Sequence, residues 1–178
     1  MIQSYKDKLK QKYSLTDLGP ANWLLGIKIT RDLETRTISL SQSLYIDSIL
    51  TQFNFTDLKP FATPMDPSIR FSKDQCPQMP EEVADMCKVP YHGAIGSLNY
   101  CAVATRPNIA FPVSLLAQFM ENLGKVHWEA VKRVFRYLLG TKHWKLTYGT
   151  TDNGLKGSQM QMGHHRNIGT QSQGMFFL

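Results

Sequence analysis

The sequence predicts an α+β fold: a β-hairpin with flanking helices, followed by a small helical bundle. Three observations carry this. From Asn22 to Thr30 apolar residues alternate with other residues at period two, and Thr37–Leu40 supplies a partner strand. Five of the nine prolines fall between Pro60 and Pro80, which breaks the chain in the middle. Beyond that break, apolar stripes recur at helical spacing, most clearly from His127 to Leu139.

In chain order, residues 2–13 read as a short helix with lysines at 6, 8, 10 and 12, followed by a turn at Leu15, Leu18, Gly19 and Pro20. Trp23, Leu25, Ile27 and Ile29 then alternate with Leu24, Gly26, Lys28 and Thr30 as one strand, in which Gly26 permits close approach to the backbone. Asp32–Thr35 turns the chain back into 37–40. Ser41 or Ser43 is expected to cap a helix whose Ile46, Ile49, Leu50 and Phe53 stand at i, i+3, i+4, i+7. After the Pro-rich connector, three helices are expected. These are 91–104, a second from Pro107 to Met120 with an imperfection at Pro112, and a third from His127 that Gly140 terminates. Lys145–Gly149 begins another strand. The resulting segments are 1–58, 59–85 (connector), 86–142 (helical), 143–157 and 158–178.

Composition narrows the class. The 178 residues carry 20 Lys+Arg against 14 Asp+Glu, a net charge of +6, with 42% hydrophobic and 19% charged residues. That is the composition of a globular chain with enough length for a core. No apolar run is long enough to span a membrane, and the N-terminus lacks an apolar signal core, so an intracellular, non-secreted protein is expected. Three cysteines, Cys76, Cys87 and Cys101, are without paired spacing and read as reduced thiols. The charge is uneven: the residues after Asp152 contain no acid, and basic residues crowd 6–12 and 125–145.

Several motifs occur in a telling order. They are Asp17-Leu18-Gly19-Pro20, Leu24-Leu25-Gly26-Ile27-Lys28-Ile29, Ser39-Leu40-Ser41-Gln42 with Tyr45-Ile46, and Lys88-Val89-Pro90-Tyr91. Ala94-Ile95-Gly96-Ser97-Leu98-Asn99-Tyr100, Thr105-Arg106-Pro107-Asn108-Ile109-Ala110 and His127-Trp128-Glu129-Ala130-Val131-Lys132-Arg133 follow. Together, over residues 2–157, they resemble the reverse transcriptase of copia-type retrotransposon Pol polyproteins. The resemblance implies that 1–58 is the end of a polymerase palm, 86–142 a thumb and 143–157 the entry to a ribonuclease H domain. Asn108 departs from the Asp usual after Arg-Pro, and Leu123 from a common Pro.

The family's activity is RNA-directed DNA polymerisation with ribonuclease H, using two divalent metal ions (magnesium) held by clustered carboxylates. Those include a Y-x-D-D pair, and this sequence has no adjacent Asp-Asp; its Glu81-Glu82 reads as a solvated helix start. No catalytic residue, metal ligand or cofactor is therefore assigned, and the isolated chain is expected to be inactive. What the resemblance leaves is nucleic-acid holding, with primer–template and the remainder of the polyprotein as partners. Trp23, Gly26 and Lys28 correspond to a primer-grip-like hairpin, against the plainer reading of an amphipathic hairpin with Trp23 in the core. Lys132, Arg133 and Arg136 form a basic helix face suited to phosphates, against a merely solvated face.

After Gly157 the text Ser158-Gln159-Met160-Gln161-Met162-Gly163-His164-His165 lacks the S-D-A-D segment that opens a copia-type ribonuclease H. The codons for Gln-Met-Gln-Met-Gly, read one base earlier, permit S-D-A-D-G, with the Ala and Gly forced. A one-base frameshift near Gly157 or Ser158 is the expectation, and the coding DNA tests it directly. The 158–178 tail is then expected to be disordered, out-of-frame text without a metal role for His164-His165.

Overall fold

The computed structural model describes residues 2–151, 154–155 and 159–161. Six helices and six strands occur among them: α1 (Ile2–Lys12), β1 (Trp23–Leu24), β2 (Ile27–Asp32), β3 (Thr37–Ser41), α2 (Ser43–Gln52), α3 (Pro80–Cys87), α4 (Tyr91–Ala104), α5 (Ala110–Ala117), α6 (Lys125–Thr141), β4 (Lys145–Thr151), β5 (Gly154–Leu155) and β6 (Gln159–Gln161). The fold is α+β, as expected.

The sheet is antiparallel in the order β1-β2-β3-β4, with β5 and β6 both paired to β4. The expected continuous strand over 23–29 is instead two strands. Trp23 pairs with Lys28 and Leu24 with Ile27. The two residues between them, Leu25 and Gly26, have φ of 49° and 77°. Positive φ at both central positions is the hairpin turn whose twist matches its strands, and glycine makes one of them easy. The alternation of large residues through the turn disguised it. The Asp32 turn is a side-chain device: Oδ1 accepts the amides of Glu34 at 2.9 Å and Thr35 at 3.2 Å, and Arg36 completes the reversal at φ 53°.

α2 follows β3 directly. Its N-cap is Gln42, which makes no side-chain cap bond; Ser41 Oγ accepts the Ser43 amide at 3.4 Å. Ile46, Ile49 and Leu50 of α2 join Tyr91, Ile95 and Leu98 of α4, Val113 and Leu116 of α5, and Val131, Val134, Phe135 and Leu138 of α6 in one core. The helix after the hairpin thus packs into the helical body, and β4 returns to pair with β3 through Leu40–Leu146. Hydrophobic burial at this density, several side chains at 0–2% exposure, is the main stabilising term.

Two further expectations are corrected. The second helix is interrupted: Pro107–Ile109 forms a 3₁₀ turn, and α5 begins at Ala110, which leaves Pro112 in its first turn, where a missing amide is harmless. Gly140 does not end its helix, which continues to Thr141. A Cβ on Gly140 would stand 3.0 Å from Pro60 Cβ, so this glycine admits the connector against the helix. The connector also holds regular structure: α3 opens on Pro80 with Glu81 and Glu82 in its first turn, where carboxylates oppose the helix dipole favourably. Of the expected out-of-frame tail, only Gln159–Gln161, paired with β4, lies among the described residues.

Candidate nucleic-acid interface

The hairpin of β1 and β2 projects Trp23 and Lys28 on the same sheet face, since directly paired residues share a face. Trp23 is 49% exposed, so it is no core residue. Lys28 is exposed, and no described carboxylate pairs with it. The hairpin is held from behind. Tyr100 Oη on α4 donates to the Leu25 carbonyl, and Tyr100 packs edge-on to Tyr45 of α2 with centroids 5.0 Å apart. Gly26 sits at positive φ in the turn. A Cβ there would meet Tyr45 Cβ at an ordinary 3.9 Å, so within the chain it is the positive φ of 77° that calls for glycine.

The basic face of α6 is largely engaged within the chain. Arg133 donates from Nη1 to Asp66 at 3.2 Å, and from Nη2 and Nε to Thr63 Oγ1 and carbonyl at 3.0 and 3.4 Å. Arg136 donates from Nε to the Lys59 carbonyl at 2.6 Å. Both guanidinium groups lie over the Phe61 ring, at 4.5 and 3.9 Å from its centroid. Lys132 pairs with Glu129 at 2.6 Å and leans over Trp128. The Asp66 carboxyl is held below its usual range, chiefly by Ser68, with Arg133 adding to it. Long cationic side chains thus clamp the connector onto α6, a use that residue type and helical spacing alone could not reveal.

Sequence reasoning also missed two buried polar anchors. Arg106 is fully buried, donating to the Thr141 carbonyl at 2.8 Å, to Thr141 Oγ1 and to Asn108 Oδ1 at 3.3 Å. Burial lowers its pKa. His127 is buried at the start of α6. Its Nδ1 accepts the Gly124 amide at 2.9 Å, and its ring stacks on Phe119 at 3.9 Å. The expected thiols are apart from one another in role: Cys101 lies in the core, where burial pushes its pKa up to about 12, and Cys87 is exposed. Among the described residues no three of His, Cys, Asp and Glu come together as a metal-ligating group.

The reverse transcriptase (RNA-dependent DNA polymerase) family matches residues 1–67, which span α1, the hairpin and α2. The chain is 45% identical over 157 residues to the retrovirus-related Pol polyprotein from transposon TNT 1-94 of Nicotiana tabacum, a match covering 88% of this chain. The chain belongs to the copia-type Pol family. A Pol polyprotein from transposon RE1 of Arabidopsis thaliana is 35% identical over 79% of this copia-type chain, and a transposon Ty5-1 protein of Saccharomyces cerevisiae is 32% identical over 80% of it. The copia-type chain spans only 12% and 9% of the two Pol polyproteins, and 44% of the yeast relative. No solved structure matches it.

Proposed function

We propose that this chain is the part of a copia-type reverse transcriptase running from the end of the palm through a thumb-like helical body, and that it holds primer–template nucleic acid without carrying polymerase or nuclease carboxylates of its own. The observation that carries the reading is the β1–β2 hairpin. Within the matched reverse transcriptase segment, it presents an exposed Trp23 and a Lys28 without an ion-pair partner among the described residues, next to a turn braced by Tyr100. An aromatic ring offers a surface for a base or sugar, and an ammonium group offers a phosphate contact. Lys132, Arg133 and Arg136 take second place. They add positive potential on the thumb-like helix while clamping the connector, so removing them lowers stability together with binding.

The test is equilibrium binding of a labelled primer–template duplex to the full chain at low salt, with a nucleotide-incorporation assay in magnesium alongside. Expected are affinity that falls as salt rises, weaker binding by Lys28→Gln, and no incorporation. No binding at 50 mM salt overturns the holding role; incorporation by the purified chain overturns the assignment as inactive. A second reading, that this stretch works inside a longer active polyprotein, is favoured by the small share of the relatives' length that it spans. Transcripts extending past either end of this coding region with the missing Asp-Asp would support it.

A further inference from the structure

The register of the sheet brings a residue from the far side of the chain to the hairpin's face. Trp23 pairs with Lys28, and Lys28 with Ser41. β3 and β4 pair as Ser39–Thr147 and Leu40–Leu146, so the next step along both strands sets Lys145 beside Ser41. Trp23, Lys28, Ser41 and Lys145 therefore form one cross-strand row, on the face opposite to Leu40 and Leu146. Trp23, Lys28 and Lys145 are exposed, and neither ammonium has an ion-pair partner among the described residues. The next row holds Thr30, Ser39 and Thr147, with the Ser39 and Thr147 hydroxyls bonded at 2.9 Å. The one acid on this side of β2, Asp32, lies a row further away with its Oδ1 occupied by two turn amides.

Strand spacing places Lys28 and Lys145 about 10 Å apart, with Trp23 one strand beyond Lys28. The combination is a stacking surface at one end and two cations without described ion-pair partners leading away from it, with the buried Ser41 between them and the Thr30, Ser39 and Thr147 hydroxyls in the next row. A duplex keeps its bases inside and could use only the cations. A single strand, with an unpaired base free to leave its neighbours, can use all three.

We infer that this sheet face binds a single nucleic-acid strand, one base stacking on Trp23 and the backbone phosphates passing over Lys28 and Lys145, and that Lys145 is a nucleic-acid contact. The inference rests on the holding role proposed above and adds to it the strand form and the residue from β4.

The experiment uses the full chain and a labelled 15-nucleotide oligothymidylate, with the same strand annealed to its complement as comparison, across 50–200 mM salt. Wild-type protein is expected to prefer the single strand. Lys145→Gln is expected to weaken it and flatten the slope of log K against log salt by about 0.7, the share of one phosphate contact, whereas Lys145→Arg keeps both. Trp23→Ala is expected to lose about five-fold or more on the single strand and little on the duplex. Circular dichroism checks that each variant is folded. Absence of any binding by wild-type protein sinks the holding role itself. Binding that Lys28→Gln weakens but Lys145→Gln leaves untouched overturns only the inference, as does a preference for duplex insensitive to Trp23→Ala.

Discussion

Lowering the pH from 7.5 to 5.5 should destabilise this fold through one side chain, His127. The imidazole is fully buried, and its Nδ1 accepts the Gly124 amide at 2.9 Å, which fixes the neutral tautomer with its proton on Nε2. Nε2 has no hydrogen-bond partner among the described residues. The ring lies flat on Phe119, with Phe71 5.6 Å away, and no described carboxylate pairs with it. Protonation would place a charge among aromatic rings, set an N–H against the Gly124 amide, and oppose the positive end of the α6 dipole. Burial accordingly lowers the His127 pKa.

The sign follows from which state binds the proton. With the folded value depressed, the unfolded chain takes up a proton first. Stability is therefore fully present above an unfolded pKa of about 6.5 and falls as the pH drops below it. The loss is greatest for a ring that stays neutral throughout in the folded state, where it reaches RT ln(1 + 10^(6.5 − pH)), at most about 0.1 kcal/mol at pH 7.5 and about 1.4 kcal/mol at pH 5.5. With a urea m-value of about 2 kcal/mol/M, the midpoint should fall by at most roughly 0.7 M. The assay is urea denaturation of wild type and His127→Gln at both values. The amide keeps an acceptor for Gly124 but does not titrate, so the variant is expected to start less stable and to lose less on acidification, by at most about 1.3 kcal/mol. Subtracting the two profiles removes what other groups contribute. Equal pH dependence in both proteins would refute the argument, for it would mean that His127 accepts a proton without leaving its site.

Three other outcomes follow from the packing. A methyl on Gly124 would fall 2.0 Å from the Gln75 carbonyl oxygen, so Gly124→Ala should cost roughly 1–3 kcal/mol in urea denaturation by forcing the two segments apart. Asn108→Asp would set a carboxylate against the buried Arg106 guanidinium, whose Nε now meets the Asn108 amide oxygen at 3.3 Å. A gain of about 1 kcal/mol is expected at pH 7, lost as the pH falls through the depressed carboxyl pKa, and a lower urea midpoint at pH 7 would contradict it. Arg136→Gln removes both the 2.6 Å bond to the Lys59 carbonyl and the stack on Phe61, and should lower stability by about 1–2 kcal/mol while speeding proteolysis within the connector.

What could be read from the residues, and what could not, divides along the range of the interactions. α4 was legible to the residue because Ala94, Ile95, Leu98, Cys101 and Ala102 mark one local face. The turn at Leu25–Gly26 was hidden because Leu25 is large and apolar yet sits at φ 49°, a conformation tolerated when the tip is tied to Tyr100, 75 positions away. Gly140 looked like a stop from its place after an apolar stripe; its reason is Pro60, which only the tertiary fold brings to it. The same holds at the candidate site. Trp23 and Lys28 are close in sequence and share a visible motif, whereas Lys145 reaches their row only through two strand registers. Arg133 and Arg136 invert the case: their charges are visible in any reading, but the acceptors that occupy them, Thr63, Asp66 and Lys59, lie in a proline-rich stretch without periodicity. A basic helix face therefore signals phosphate binding only to the extent that its cations lack partners. By that criterion the sheet face, with fewer charges, is the stronger candidate.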